Sequence, residues 1–285
     1  MMTVYLLNII QFILYMRDGM SGIEVDNLTF GYTEELVLHK INMSIAPGSF
    51  VALLGQSGCG KSTLLRLLAG LEKPGSGKIL IGNQEIKGAG LDKGMVFQDY
   101  GLFPWMTAGE NIAFALEQRF PKAKKKELKQ MALKLLADVD LKSDVYDKLP
   151  KELSGGMQQR CAITKAFGID PPIMLMDEPF GALDAVTRSR LQDLIINLWS
   201  KDEEKKTVIF VTHDVDEAIF LANEIYVLGQ MPGSIIYHYV FDPAKRPDRS
   251  KQFDDEQTAK LRSTLMSIIH KDVEAKKEKV ETKEY

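Results

Sequence analysis

The chain has 285 residues, of which 45% are hydrophobic and 26% are charged, as expected for a protein that folds around a sizeable core. A net charge of -3 and a pI of about 5.9 give no indication of a nucleic-acid partner. The two cysteines, Cys59 and Cys161, can form neither a disulfide framework nor a zinc site, so a reducing compartment is the simplest setting.

The N-terminal extension, residues 1–20, is apolar with few breaks but is too short to predict a transmembrane helix. It lacks the positive lead and the small-residue cleavage site of a signal peptide. Two interpretations stay open, a membrane-surface anchor and a translation start assigned too early, with Met20 as the first true residue. We favour the second.

Strand patterns follow the extension. Alternating apolar residues predict one strand from Ile23 to Phe30 and a second from Val37, and residues 79–81 read as a short strand between glycines. We expect these strands to form an antiparallel layer. Tyr32, in the loop between the first two strands, fits either stacking on a base or packing at a sheet edge.

An apolar strand at 50–54 leads into residues 55–62, which fit the phosphate-loop pattern G-x-x-x-x-G-K-[ST], and an apolar helix follows. The glycines allow a tight turn, and successive N–H groups at the mouth of a helix attract anions. Lys61 supplies positive charge for the β- and γ-phosphates, and the Ser62 hydroxyl is placed to coordinate Mg²⁺. We interpret Cys59 as a small filler, with a reactive thiolate as the alternative.

A helical lobe is predicted at 107–145. An aromatic loop that contains proline, residues 100–105, precedes it, and Thr107 with Glu110 forms a capping box that starts its first helix. Apolar residues at helical spacing from Leu128 predict a second helix.

A second anion-binding turn is predicted at Ser154, which is a natural N-cap for the helix that follows it. Gly155 and Gly156 allow the backbone there to approach a ligand, but no lysine accompanies them.

Two carboxylates and a histidine follow two buried strands. Residues 173–176 end in Asp177 and Glu178, where α/β folds bind ligands. Asp177 suits Mg²⁺, and Glu178 suits a base that positions an attacking water. His213 follows residues 208–212, the last clear core strand, and could reach a γ-phosphate. Beyond residue 227 the pattern loosens, and from 271 to the end ten of the fifteen residues are charged, which predicts a frayed helix or a disordered tail.

The order of these motifs resembles the ATPase subunit of an ATP-binding-cassette (ABC) transporter, over nearly everything from residue 23 to about 236. The matching pieces are the phosphate loop, Gln98, the signature at 153–160, the acidic pair with Pro179, the loop at 181–184 and His213.

The resemblance implies an α/β fold with a P-loop NTPase core, in which a mostly parallel sheet is flanked by helices. An antiparallel β layer and an inserted helical subdomain complete it. The implied ATPase domain spans 21–240, with the helical subdomain at about 99–165. A charged loop, a helix and a tail follow at 241–285.

The resemblance implies ATP and Mg²⁺ as cofactors. Glu178 looks like the catalytic base, His213 like the switch residue on the γ-phosphate, and Ser62, Gln98 and Asp177 like the holders of Mg²⁺ or its water. Gln98 and His213 complete the catalytic set. The implied nucleotide contacts are Tyr32, Gly55, Gln56, Ser57, Gly58, Cys59, Gly60, Lys61, Ser62, Thr63, Ser154, Gly155, Gly156, Gln158 and Asp184.

The family's subunits pair head to tail, so Ser154 and Gly156 are expected to act on the ATP of a second ATPase subunit, with a homodimer favoured. Asp184 lies in the loop that communicates between subunits. The resemblance also implies transmembrane permease subunits, an external solute-binding protein, no nucleic acid, and a peripheral position on the cytoplasmic face of the cell membrane.

Within the family, residues 102–105, 177–184 and 213–218 look like the nitrate/sulfonate/taurine importer branch. Residues 231–235 and Lys165 depart from it, because that branch commonly has arginines there. Transport of another small solute and a soluble, non-transport ABC ATPase are the alternatives. A non-enzymatic scaffold gated by nucleotide is less consistent with Glu178 and His213.

Overall fold

The structure is a computed structural model that describes residues 22–181, 183–200, 205–242 and 255–281. The two interpretations of residues 1–20 therefore concern a segment outside the described residues. The strands of the described parts are β1 (Ile23–Phe30), β2 (Leu38–Ile45), β3 (Phe50–Leu54), β4 (Ser76–Ile81), β5 (Gln84–Glu85), β6 (Lys93–Val96), β7 (Ile173–Asp177), β8 (Thr207–Thr212), β9 (Glu224–Leu228) and β10 (Ile235–Val240).

The helices of the described parts surround two sheets. They are α1 (Lys61–Ala69), α2 (Ala108–Arg119), α3 (Lys125–Asp138), α4 (Gly155–Gly168), α5 (Ala185–Ser200), α6 (Val215–Leu221) and α7 (Glu256–Glu281), with short 3₁₀ turns at Ser143–Asp147 and Pro150–Glu152. No helix in these parts is both long enough and apolar enough to cross a membrane.

One sheet is the antiparallel layer that the sequence predicts. Its strand order is β2-β1-β4-β5, and Ile23 pairs with Ile45 on one side and with Ile81 on the other. Alternate residues of β1 and β2 are buried, because the apolar side chains of a half-covered strand share one face.

The other sheet has the order β10-β9-β3-β8-β7-β6, and all of its neighbouring pairs are parallel except β9–β10. Every residue of β3, β7 and β8 is buried, as expected for central strands with both faces covered. Phe50, Ala52 and Leu54 pack toward α4–α7, whereas Val51 and Leu53 pack toward α1 and the antiparallel layer. The α/β fold class is thus confirmed.

The strand after residue 207 is not the last strand of this sheet, because β9 and β10 extend it. Strand β9 is fully buried although it carries Glu224 and Tyr226. Both polar side chains have partners: Glu224 Oε1 lies 2.8 Å from His238 Nε2, and the Tyr226 hydroxyl donates to the Ser44 carbonyl at 2.8 Å. These partners lie outside β9, in the neighbouring strand β10 and in β2, so the local pattern underestimates burial here.

Helices α2, α3 and α4 enclose a separate apolar cluster, which includes Ile112, Leu116 and Leu136. The predicted capping box starts α2: Thr107 Oγ1 accepts from Glu110 N at 3.2 Å, and Glu110 Oε2 accepts from Thr107 N at 2.8 Å. This cluster presents the beginning of α4 beside the main sheet.

Candidate functional site

The phosphate loop joins β3 to α1 at the carboxyl end of the main sheet. Gly60 is the N-cap of α1 with φ of 100°, a left-handed conformation that favours glycine. The first turn of α1 contains no acidic residue, so the field at its N-terminus stays positive. Gln56, Ser57 and Gly58 are exposed at the outer side of the loop, and Thr63 is half-buried in α1. The loop therefore presents backbone donors to an anion.

The Lys61 side chain lies within the loop. Only 4% of Lys61 is exposed, and its Nζ donates to the carbonyls of Gly55 at 2.9 Å and of Gln56 at 2.7 Å. These two carbonyls satisfy a buried ammonium that would otherwise be costly. The ammonium is thus held beside the place where a phosphate would meet the loop. Cys59 is buried next to it, and burial raises the pKa of its thiol, which supports the interpretation of Cys59 as a filler.

Ser62 and Asp177 meet across two elements. The Ser62 hydroxyl donates to Asp177 Oδ1 at 2.8 Å, at the point where α1 passes the end of β7. Burial raises the pKa of the Asp177 carboxyl, and the Ser62 hydrogen bond counteracts part of that effect. Hydroxyl and carboxylate oxygens are ligands that suit Mg²⁺. No cluster of three or more His, Cys, Asp or Glu in the described residues could hold a metal, so this pair would need phosphate and water oxygens to complete a site.

Glu178 and His213 face each other at the same edge of the sheet. His213 Nδ1 lies 3.6 Å from Glu178 Oε1, and the Glu178 side chain is 18% exposed whereas that of His213 is 56% exposed. Glu178 has φ of 44°, a conformation that non-glycine residues seldom adopt and that turns the chain sharply after β7. The two side chains line a cavity of about 280 Å³ together with Gln98.

Two further residues line this cavity but are not among the site residues that the sequence motifs predict. Gln159 is 3% exposed, lines the cavity, and among the described residues its Nε2 has no hydrogen-bond partner. Tyr100 lines the cavity as well. Gln158, which the resemblance proposes as a nucleotide contact, donates from its Nε2 to the Leu153 carbonyl at 3.2 Å. The helical position of Gln159, one residue further along α4, is the only sequence signal for it.

The turn at Ser154 lines a different cavity, of about 630 Å³. Ser154 caps α4, because its Oγ accepts from Met157 N at 3.3 Å, and Gly155 and Gly156 lie in the cavity wall. Asp184 lines the same cavity, and no phosphate-loop residue does. Within one chain, the cavity at Ser154 therefore does not include the phosphate loop.

Asp184 and Tyr32 lie at the periphery. Asp184 Oδ1 accepts from the backbone N–H groups of Val186 at 3.1 Å and of Thr187 at 3.0 Å, and hydrogen bonds with Thr187 lower the pKa of this carboxyl. Tyr32 is 54% exposed, and its ring stands edge-on to Phe30 with centroids 4.9 Å apart. The contact with Phe30 is packing at the end of β1, and the exposed half of the ring is accessible for stacking, so this geometry fits both interpretations of Tyr32.

Lys165, where the importer branch commonly has arginine, joins α4 to the aromatic loop. Its Nζ donates to the Gly101 carbonyl and lies 5.7 Å from the Phe103 ring centroid, and burial lowers the pKa of its ammonium. Phe103 contacts Trp105, which is 72% exposed, and Phe114, with ring centroids 5.5 and 5.6 Å apart. The exposed aromatic side chains here are therefore Trp105 of the loop and Phe114 of α2, and the half-buried Phe103 contacts both of them and the Lys165 ammonium.

Comparison with known proteins identifies a matching family and its relatives. The ABC transporter family profile matches residues 38–181. The aliphatic sulfonates import ATP-binding protein SsuB of Bacillus subtilis is 46% identical over 199 residues, which cover 70% of this chain and 75% of that protein. The nitrate import ATP-binding protein NrtD of Synechococcus elongatus is 38% identical over 237 residues, which cover 83% of this chain and 85% of that protein.

A solved structure agrees with the sequence relatives. It is a dimeric, post-hydrolysis ATP-binding cassette bound to ADP and Pi, and it superposes with a TM-score of 0.68 at 32% identity, covering 77% of this chain and 99% of that one. The fold, the motif order and these relatives lead to one assignment. The chain belongs to the ABC transporter family and is one of its ATP-binding ATPase subunits.

Proposed function

We propose that this chain hydrolyses ATP as the nucleotide-binding subunit of an importer for a small anion such as nitrate, a sulfonate or taurine. One observation carries the ATPase part: Lys61, the Ser62–Asp177 pair and the Glu178–His213 pair all lie at the carboxyl edge of one sheet. The names of the relatives from Bacillus subtilis and Synechococcus elongatus support the anion class.

Binding is assigned to the phosphate loop. The backbone N–H groups of residues 55–62 and the Lys61 ammonium would hold the β- and γ-phosphates, with Lys61 exchanging its two carbonyl partners for phosphate oxygens. Ser62, Asp177 and Gln98 would hold Mg²⁺, which when bound neutralises phosphate charge. Tyr32 would stack on the adenine.

Hydrolysis is assigned to the cavity of about 280 Å³. Glu178 accepts a proton from the attacking water as that water adds to the γ-phosphorus and the bond to ADP breaks. His213, 3.6 Å from the Glu178 carboxylate, holds the γ-phosphate side of this arrangement in place. Because catalysis here consists mainly of positioning, the sharp turn at Glu178 is a functional feature.

A second subunit completes each site in this proposal. Ser154 and Gly156 line a cavity apart from the phosphate loop, which suits a head-to-tail pair in which each turn at Ser154 faces the nucleotide of the other chain. Asp184 lines that same cavity and would signal between the two subunits. ATP then joins the subunits, and hydrolysis separates them.

The aromatic loop at 100–105 would dock a permease subunit, since an exposed aromatic side chain such as Trp105 suits an interface. The chain would act peripherally on the cytoplasmic face of the membrane, with an external solute-binding protein delivering the anion. Residues 21–240 would form the ATPase domain, with the helical subdomain at about 99–165 and a C-terminal extension at 241–285.

Mixing two inactive variants tests the head-to-tail site. Lys61→Ala removes the phosphate-binding cation but keeps Ser154, and Ser154→Ala does the reverse. If random pairing makes roughly half of the dimers mixed, each with one complete site, the mixture should recover about a quarter of wild-type ATPase activity. Activity equal to the average of the two separate variants would reject a shared site.

Transport assays test the solute. Cells that lack this chain should lose uptake of labelled nitrate, an alkanesulfonate or taurine, assayed one at a time, and the wild-type gene should restore it while Lys61→Ala should not. Unchanged uptake of all three would reject the small-anion assignment and leave the ATPase assignment intact.

A further inference from the structure

The phosphate loop is backed by the loop at 229–234, which we call the support loop. A Cβ atom added to Gly55 would lie 2.6 Å from the Leu228 carbonyl oxygen, and one added to Gly233 would lie 2.4 Å from the Cys59 carbonyl oxygen. Both distances are too short for any side chain, so the phosphate-loop backbone lies directly against the end of β9 at Leu228 and against the support loop at Gly233. A displacement of the support loop would therefore reach the phosphate loop.

Side chains connect the support loop to the phosphate loop on one side and to α7 on the other. Gln230 Nε2 donates to Gln56 Oε1 at 2.9 Å, and the backbone N–H of Gln230 donates to Asp272 Oδ2 at 2.8 Å. Lys276 Nζ adds a hydrogen bond of 2.7 Å to the Met231 carbonyl. The result is a continuous chain of hydrogen bonds from the C-terminal helix to the phosphate loop.

Helix α7 is anchored to the rest of the protein, so it can serve as the fixed end of this series of hydrogen bonds. Leu265 is fully buried and Leu261 nearly so, both within the main apolar core. Arg262 Nε and Nη2 donate to the two carboxylate oxygens of Asp216 at 2.6 and 3.2 Å, and Asp216 lies in the first turn of α6, just after His213. The helix thus contacts elements on both sides of the site.

We infer that α7 positions the phosphate loop, with Asp272 and Gln230 as positioning residues that act through Gln56. This inference rests on the proposed assignment of that loop to ATP. The Gln56 carbonyl also accepts the Lys61 hydrogen bond of 2.7 Å, so holding the Gln56 side chain holds the residue that orients the lysine. A loop ordered before the nucleotide arrives loses less entropy on binding, which strengthens binding.

Nucleotide binding and steady-state kinetics test the inference on the full-length protein. Asp272→Ala and Gln230→Ala should each raise the Kd of Mg-ATP, measured by calorimetry, and the KM by about three- to tenfold, as loss of one hydrogen bond predicts. The kcat at saturating ATP should stay within about twofold of wild type, because the reacting groups are untouched. A general folding defect would instead lower kcat by reducing the active fraction.

Conservative and control variants sharpen this test. Asp272→Asn keeps an acceptor oxygen and should restore most of the affinity. Glu274→Ala, which removes an exposed acidic side chain of the same helix, should leave Kd and KM at wild-type values. If Asp272→Ala does not fold, the result for Gln230→Ala decides the test. This variant removes only the side-chain hydrogen bond to Gln56, and its backbone N–H still donates to Asp272.

A double variant tests whether Gln230 acts on the phosphate loop through Gln56 or through a general effect on the protein. Because Gln56→Ala and Gln230→Ala remove the same hydrogen bond, the double variant should bind Mg-ATP no more weakly than the weaker single variant. Fully additive losses, or wild-type affinity in both Asp272→Ala and Gln230→Ala, would overturn the inference. Failure of the wild-type protein itself to bind Mg-ATP would overturn the proposed function instead.

Discussion

The Ser62 hydroxyl donates to Asp177 Oδ1 at 2.8 Å although the two residues are 115 positions apart in the sequence. Ser62 is the second residue of α1, after the phosphate loop, and Asp177 ends β7, so this hydrogen bond joins the two motifs directly. It places a hydroxyl and a carboxylate where one cation could use both.

Asp177→Asn should change the pH dependence of stability. Burial raises the pKa of the folded carboxyl, so the folded protein binds more protons than the unfolded chain between an unfolded value of about 3.9 and the higher folded pKa. The free energy of unfolding of the wild type therefore falls as pH rises through that window, by ~1.4 kcal/mol for each unit of difference. Asparagine lacks this contribution.

Urea unfolding of both proteins without nucleotide, from pH 4 to pH 8, checks this prediction. The stability of the variant relative to wild type should rise with pH and then level off above the folded pKa, while ATPase activity is lost. A difference between the two proteins that does not vary with pH would show that the buried carboxyl carries no desolvation cost.

Glu178→Gln should abolish turnover while leaving ATP binding intact, because the amide cannot accept the proton of water. We expect kcat to fall by at least about a hundredfold and the ATP-bound dimer to accumulate. Single-turnover hydrolysis together with size-exclusion chromatography measures both effects. Full ATPase activity in this variant would remove Glu178 from the role of base.

Lys61→Ala should weaken ATP binding by about ten- to a hundredfold, as loss of a charged hydrogen-bond donor predicts. Calorimetric titration with Mg-ATP measures this change. Thermal unfolding provides the control, since the carbonyls of Gly55 and Gln56 lose their donor even without nucleotide. Nucleotide affinity equal to that of the wild type would count against the assignment of the phosphate loop.

Lys165→Met should loosen the aromatic loop, because the Gly101 carbonyl loses its buried donor. Leaving that group unpaired should lower the free energy of unfolding by about 1–3 kcal/mol, whereas Lys165→Arg keeps a donor and should lose less. Urea unfolding and the emission of Trp105, in a Trp199→Phe background, report on stability and on the loop. Identical emission in all three proteins would mean that Lys165 does not hold the loop.

Local patterns were sufficient wherever a motif was contained in one short segment. The strand bounds of β3, the capping box at Thr107 and the N-cap at Ser154 follow from nearest-neighbour chemistry, and the structure confirms each. The local pattern did not indicate β9, because the burial of its polar residues depends on partners outside the strand, such as Ser44 for Tyr226.

Long-range polar contacts could not have been predicted from one sequence. Gln230 and Gln56 are 174 positions apart, and neither belongs to a pattern that demands the other. Gln159 differs from its neighbour Gln158 only by its angular position on α4, which decides whether the side chain turns toward Glu178 or back toward the Leu153 carbonyl. Such contacts depend on tertiary packing, which fixes helix rotation.

The self-contained arrangement of Lys61 has a consequence for the catalytic cycle. In the proposed cycle, the ammonium would return to the carbonyls of Gly55 and Gln56 when product departs. The vacated protein is then not left with a bare buried cation, so product release carries no electrostatic penalty of that kind. The nucleotide-free subunit would therefore need no other ligand to neutralise Lys61 before the next ATP binds.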